Sequence, residues 1–146
     1  MAYLLIFLVL SSILISILKL MPSKRERMLS KLRSRAIHDG IGVKVVWLKE
    51  LEWVDGASKV GEFVAYQRMG LSDCDIWRCV PTGESAKDWH IDGNLDVVEA
   101  ERINELKNKL GDNLLAVERH AAVLIVYWQE SNDLYPDVYR YLFSCS

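Results

Sequence analysis

Apolar side chains run unbroken by charge from Ala2 to Leu18, AYLLIFLVLSSILISIL, and Leu20 and Met21 extend the run past Lys19. At about 1.5 Å per residue, the positions Ala2 to Met21 would span roughly 30 Å as a helix, the thickness of a bilayer hydrocarbon core. Ser11, Ser12 and Ser16 can return their hydroxyls to backbone carbonyls, so they do not oppose insertion. No Lys or Arg precedes the run, its apolar core exceeds that of a signal peptide, and Met-Pro-Ser-Lys is a poor cleavage site. The pattern predicts an uncleaved transmembrane anchor over residues 1–21.

At Pro22 the pattern changes. Proline cannot donate to the preceding turn, and Ser23-x-x-Glu26 has the spacing of a capping box. A second helix is expected to about Ile37, ending near Asp39-Gly40. Met28, Leu32 and Ala36 recur at helical spacing, with Leu29 widening the stripe and basic residues on the other faces. Residues 22–40 therefore read as a basic amphipathic helix beside the membrane.

From Ile41 onward the period becomes extended. Strands are expected at Val43–Leu48, Val60–Met69 and Asp75–Val80, with a short one at Lys87–Ile91. A helix capped by Asn94 or Asp96 follows over about 95–110, its Val98, Ile103, Leu106 and Leu110 on one face. Two more strands, 114–118 and 122–128, are expected to turn at Arg119–Ala121. Residues 137–143 close the chain as a short helix or edge strand. The fold class is α+β. After the anchor and basic helix comes a small, mostly antiparallel sheet of four or five strands with one packed helix, residues 41–146.

Charge divides the chain the same way. Residues 2–18 carry none, residues 19–35 carry seven Lys/Arg against one Glu, and residues 36–146 carry eleven Lys/Arg against nineteen Asp/Glu. The net charge of −2 thus resolves into an uncharged span, a +6 collar and a −8 domain. Lys19, Lys24, Arg25, Arg27, Lys31, Arg33 and Arg35 all flank one end of the span, so the positive-inside rule predicts the N-terminus outside and the domain in the cytoplasm. These cations are candidate contacts to the lipid bilayer and its anionic headgroups, at about 1 kcal/mol each. A purely topological collar is the simpler reading. Nucleic acid is not expected, because no aromatics interleave with the cations and the main domain is acidic.

Candidate chemistry is sparse. Cys74, Cys79 and Cys145 are odd in number and widely spaced, which argues against a disulfide framework and against a zinc knuckle. Asp88-x-His90-x-Asp92 would align three side chains on one face of a strand, with His120 as a distal fourth, a candidate metal set for a small enzyme or sensor. Solvated acids beside a surface histidine explain the same pattern. Dinucleotide, P-loop and nucleophile-elbow motifs are absent from the sequence, so no cofactor is expected. Of the five tryptophans, Trp53 and Trp89 lie nearest to loops and are the candidate partner-binding aromatics.

The stretch Pro22-Ser23-x-Arg25-Glu26-Arg27-x-Leu29-x-x-Leu32-Arg33, followed by Gly42-Val43-x-Val45 and a late Val126-Tyr127-Trp128-x-Glu130, resembles uncharacterised single-span inner-membrane proteins of Gram-negative bacteria. Some of these are similar in layout to the YajC subunit that accompanies the protein-export channel. The resemblance implies a bacterial inner-membrane location and supplies no catalytic residue. Together these features lead to the expectation of a membrane-anchored, non-enzymatic accessory or scaffold protein that presents its acidic domain to a protein partner or membrane complex.

Overall fold

The computed structural model describes residues 2–20, 22–46, 63–71, 75–81 and 89–144. Among them are four helices and one six-stranded antiparallel sheet, an α+β fold. The elements are α1 (Ala2–Leu20), α2 (Lys24–His38), β1 (Gly42–Val46), β2 (Phe63–Arg68), β3 (Trp77–Pro81), β4 (Trp89–Gly93), α3 (Val97–Leu110), β5 (Leu114–His120), β6 (Val123–Trp128) and α4 (Tyr135–Ser144). The spatial order of the strands is β1-β2-β6-β5-β3-β4.

Local chemistry sets the helix ends. Ser23 and Glu26 form the expected reciprocal capping box, which starts α2 at Lys24, four positions after the last residue of α1 in sequence. Asp96 caps α3, and Gly111 ends it with φ at +53°, a left-handed value that glycine adopts without strain. Over the side chains that are described, no helix is long and apolar enough to cross a membrane. Within α1 that description leaves out the side chains of Ala2, Leu4, Leu5, Leu8 and residues 17–20. The α1 side chains that are described are almost all exposed, from Ile13 at 51% to Tyr3 at 88%.

One face of the sheet carries the main core. Val64, Tyr66, Cys79, Val117, Leu124, Val126 and Trp128 point to it, and α2, α3 and α4 all pack there. Leu32 and Ala36 come from α2, Ile103, Leu106 and Leu110 from α3, and Tyr135, Val138 and Leu142 from α4. Three helices therefore cover a face for which sequence periodicity predicts one. The collar helix is part of this core, because its apolar stripe finds a sheet instead of lying wholly at a lipid surface. Tyr66 sits at the centre, edge-on to Trp128 at 5.3 Å and to Tyr135 at 6.2 Å. The indole Nε1 of Trp128 is buried and has no hydrogen-bond partner among the described residues, contrary to the usual habit of a core tryptophan.

The opposite face carries a second buried cluster, Val46, Phe63, Ala65, Leu115, Ala116, Ile125 and Tyr127, to which no described helix contributes. β5 is central and buried on both faces from Leu114 to Arg119, which explains its unbroken apolar start. It also runs further than expected, through His120, and the hairpin turns at Ala121-Ala122. Arg119–Ala121 is expected from sequence as the turn. In the fold Arg119 pairs with Trp77 and Leu124 and His120 with Val123, while Arg78 stands opposite Glu118 and binds its carboxylate, so the strand continues.

Gly93 is a demanding position in β4. Its φ is +100°, and a Cβ there would lie 2.4 Å from the Ile76 carbonyl oxygen and 2.9 Å from the Trp77 Cα. Both obstacles are backbone and cannot swing aside. Gly93→Ala is therefore expected to destabilise the chain by about 2 kcal/mol or more, read as a lowered urea midpoint in detergent solution. Gly70→Ala, also at positive φ but with no heavy atom near the added Cβ, should cost less.

Candidate functional site

The junction between the collar helix and the sheet is the most elaborated polar site among the described residues. Glu130 follows β6 directly, and its side chain is only 2% exposed. A carboxylate so placed needs several donors, and it has them. Arg33 of α2 donates through Nε at 2.8 and 3.0 Å and through a terminal nitrogen at 2.5 Å, while the Tyr66 hydroxyl donates at 2.9 Å. Burial, followed by the Glu130 charge, pushes the Tyr66 phenol well above its ordinary value, so it stays a proton donor.

A second contact of the same chemistry lies one turn along. Arg35 stacks its guanidinium 5.4 Å from the centre of the Tyr135 ring and approaches Asp39 at 3.9 Å. The Tyr135 hydroxyl donates to Asp39 at 2.8 Å. Two of the seven collar cations are thus held by the domain. Lys24, Arg25, Arg27 and Lys31 are exposed, as are Ser34 and His38. Lys24, Arg27, Lys31 and His38 fall on the side of α2 away from Leu32 and Ala36, forming a basic stripe that faces outward. Lys19 belongs to α1, and its side chain is not among those described.

The other sheet face repeats the arrangement. Glu118 accepts hydrogen bonds from Tyr127 Oη and from Arg78 Nε, the latter at 2.9 Å, and His120 Nε2 stands 3.3 Å away. Burial alone would raise the Glu118 pKa. The bonds from Tyr127 and Arg78 and the nearby charges of His120 and Arg78 outweigh it and hold the carboxyl below its ordinary value. The result is a tethered anion, with both of its oxygens accepting hydrogen bonds from within the domain.

The residues of the candidate metal set are not brought together. Asp88 lies outside the described residues, as do Trp53, Cys74 and Cys145. His90 and Asp92 do share a face of β4, but His120 ends β5 with β3 between them. The ladders set Asp92 level with Glu118 through Arg78, so His120 lies two residues further along than Asp92 and four further than His90, as well as two strands away. His120 is instead beside Glu118. No group of three His, Cys, Asp or Glu among the described residues could hold a metal ion. Cys79 is buried, and burial, opposed only by the charge of Lys107, pushes its thiol up to about 11. Trp89, expected at the surface, is half-buried against the main core with the Lys107 ammonium 5.3 Å from its ring centre.

Glu118 and Glu130 escape a motif search because neither belongs to a spaced signature. The signal was an acid inside or directly after an apolar strand, LLAVERH and VLIVYWQE, where a side chain must be buried or displaced. Arg33→Ala should cost about 3 kcal/mol, because it leaves Glu130 buried without its cation. Glu130→Gln, which removes that charge, should cost less; equilibrium unfolding of both variants checks the ranking. Because its folded pKa is depressed, Glu118 contributes stability above the ordinary carboxylate value, and that contribution disappears as pH falls through the lower folded value. Glu118→Gln should cost about 1–3 kcal/mol at neutral pH and progressively less in acid, measured by urea titration across that range. No family profile, curated protein or solved structure matches this chain, so its functional reading rests on this geometry.

Proposed function

We propose that this protein is a membrane-anchored, non-enzymatic accessory or scaffold protein, with α1 in the bilayer and the acidic α+β domain presented to a protein partner. The carrying observation is the exposure of α1. Ile6 and Ile15 project from opposite sides of the helix, Phe7, Leu10 and Leu14 lie on the arc between them, and Val9 and Ile13 lie beyond Ile6, all exposed. A helix apolar around its circumference needs an apolar surrounding, and the domain does not provide it. The sequence of α1 has one charge in 19 residues, Lys19, close enough to the end to reach the headgroups.

The proposed orientation is N-terminus outside and domain in the cytoplasm of a bacterial inner membrane, from the cations on one flank. The outward stripe of α2 supports contact with anionic headgroups through Lys24, Arg27 and Lys31, and Arg25 is exposed beside it. Arg33 is withdrawn from that role by Glu130, and Arg35, though exposed, lies beside Asp39 and Tyr135. They give the basic helix a fixed seat on the domain, so the anchor and the presented surface are mechanically coupled through α2. Polar clusters with mutually satisfied donors favour a structural role over turnover.

Alkaline carbonate extraction of bacterial membranes tests the anchor. The full chain should stay in the membrane pellet, and Leu10→Arg with Leu14→Arg should release it, each arginine near the helix centre opposing insertion by about 3 kcal/mol. Retention of that double variant, or release of the unaltered chain, would overturn the reading. Purification in mild detergent should then recover a stoichiometric protein partner, and a solitary protein with measurable turnover would count against the scaffold role.

A further inference from the structure

We infer that β4 is a self-pairing edge that joins two copies of this chain into one continuous antiparallel sheet. β4 ends the strand order, so its outer edge at His90, Ile91 and Asp92 has no further strand beside it among the described residues. His90, Ile91 and Asp92 are exposed there, Ile91 by 45%. The other edge, β1, has Lys44 at its centre, which self-pairing would set against its own copy.

The register follows from the pleat and from charge. A two-fold axis normal to the sheet keeps every side chain on its own face, so β4 can pair with itself only about a residue, never between two. His90 and Asp92 share one face with Arg78 and Val80, while Trp89, Ile91 and Gly93 stand on the other. Pairing centred on His90 would set imidazole against imidazole. Pairing centred on Asp92 would set carboxylate against carboxylate, at a cost. Pairing centred on Ile91 sets Ile91 against Ile91 and, twice over, His90 against Asp92 and Trp89 against Gly93. Each imidazole then donates to a carboxylate. The segment His-Ile-Asp is thus complementary to itself in one register, which accounts for His90 and Asp92 without a metal.

The test is cross-linking of the full chain in mild detergent. Ile91→Cys places a thiol at the two-fold axis and should oxidise to a disulfide-linked dimer several-fold faster than the unaltered chain or Val97→Cys, which is 71% exposed but off the edge. Adding His90→Asp sets two carboxylate pairs opposite each other and should slow dimer formation roughly tenfold. Adding Asp92→His as well exchanges the partners and should restore the rate. That restoration separates the pairing from any loss of folding in the single variant. If Ile91→Cys cross-links no faster than Val97→Cys, or at a rate indifferent to His90→Asp, the inference is overturned; association through α1 or an edge kept for a different protein's strand would give those results. Failure of the exchanged variant to regain the rate overturns the register.

Discussion

The burial of Glu130 constrains more of this structure than any other single contact. A carboxylate held out of water at the end of β6 must be met by a cation and by hydrogen-bond donors, or the strand end cannot be buried at all. Arg33 and Tyr66 meet it, and in doing so they fix α2 across the edge of the sheet. The planar guanidinium suits this position, because its fork reaches both oxygens; a lysine would offer a point charge without that geometry. With Glu130 satisfied, Leu32 and Ala36 descend into the core and Tyr66 is oriented to pack on Trp128 and Tyr135.

The same chemistry recurs at three places. Arg33 with Glu130 and Tyr66, Arg35 with Asp39 and Tyr135, and Arg78 with Glu118 and Tyr127 each combine a guanidinium, a carboxylate and a phenol. In each the tyrosine supplies a neutral donor that needs no counter-charge, while its ring packs on apolar neighbours. Two of the three link α2 to the rest of the domain. The capping box of Ser23 and Glu26 starts α2 immediately after the Pro22 break, so little chain separates α1 from a helix bound rigidly to the sheet.

Much of the fold was legible in the chain. Period-two alternation and β-branched runs located every described strand, and capping chemistry located α2 and α3. Legibility failed where a residue's meaning depends on what lies opposite it. Arg119 and His120 look like part of a turn until the ladders to Trp77 and Val123 take them into β5. Arg33 and Arg35 are counted with the membrane-facing cations until Glu130 and Tyr135, nearly a hundred positions later, claim them. The metal reading of His90, Asp92 and His120 fails for the complementary reason: strand order places β3 between residues that periodicity alone could not separate.

By itself the sequence determined the division of the chain, because an uncharged run, a basic collar and an acidic remainder are local properties of composition and period. It also determined the element types and most of their limits, since caps, turns and alternation act over a few residues. Tertiary structure alone decided which charges remain outside. Burial costs are set by what surrounds a group, and only the folded sheet brings Glu130 to Arg33 and Glu118 to Arg78.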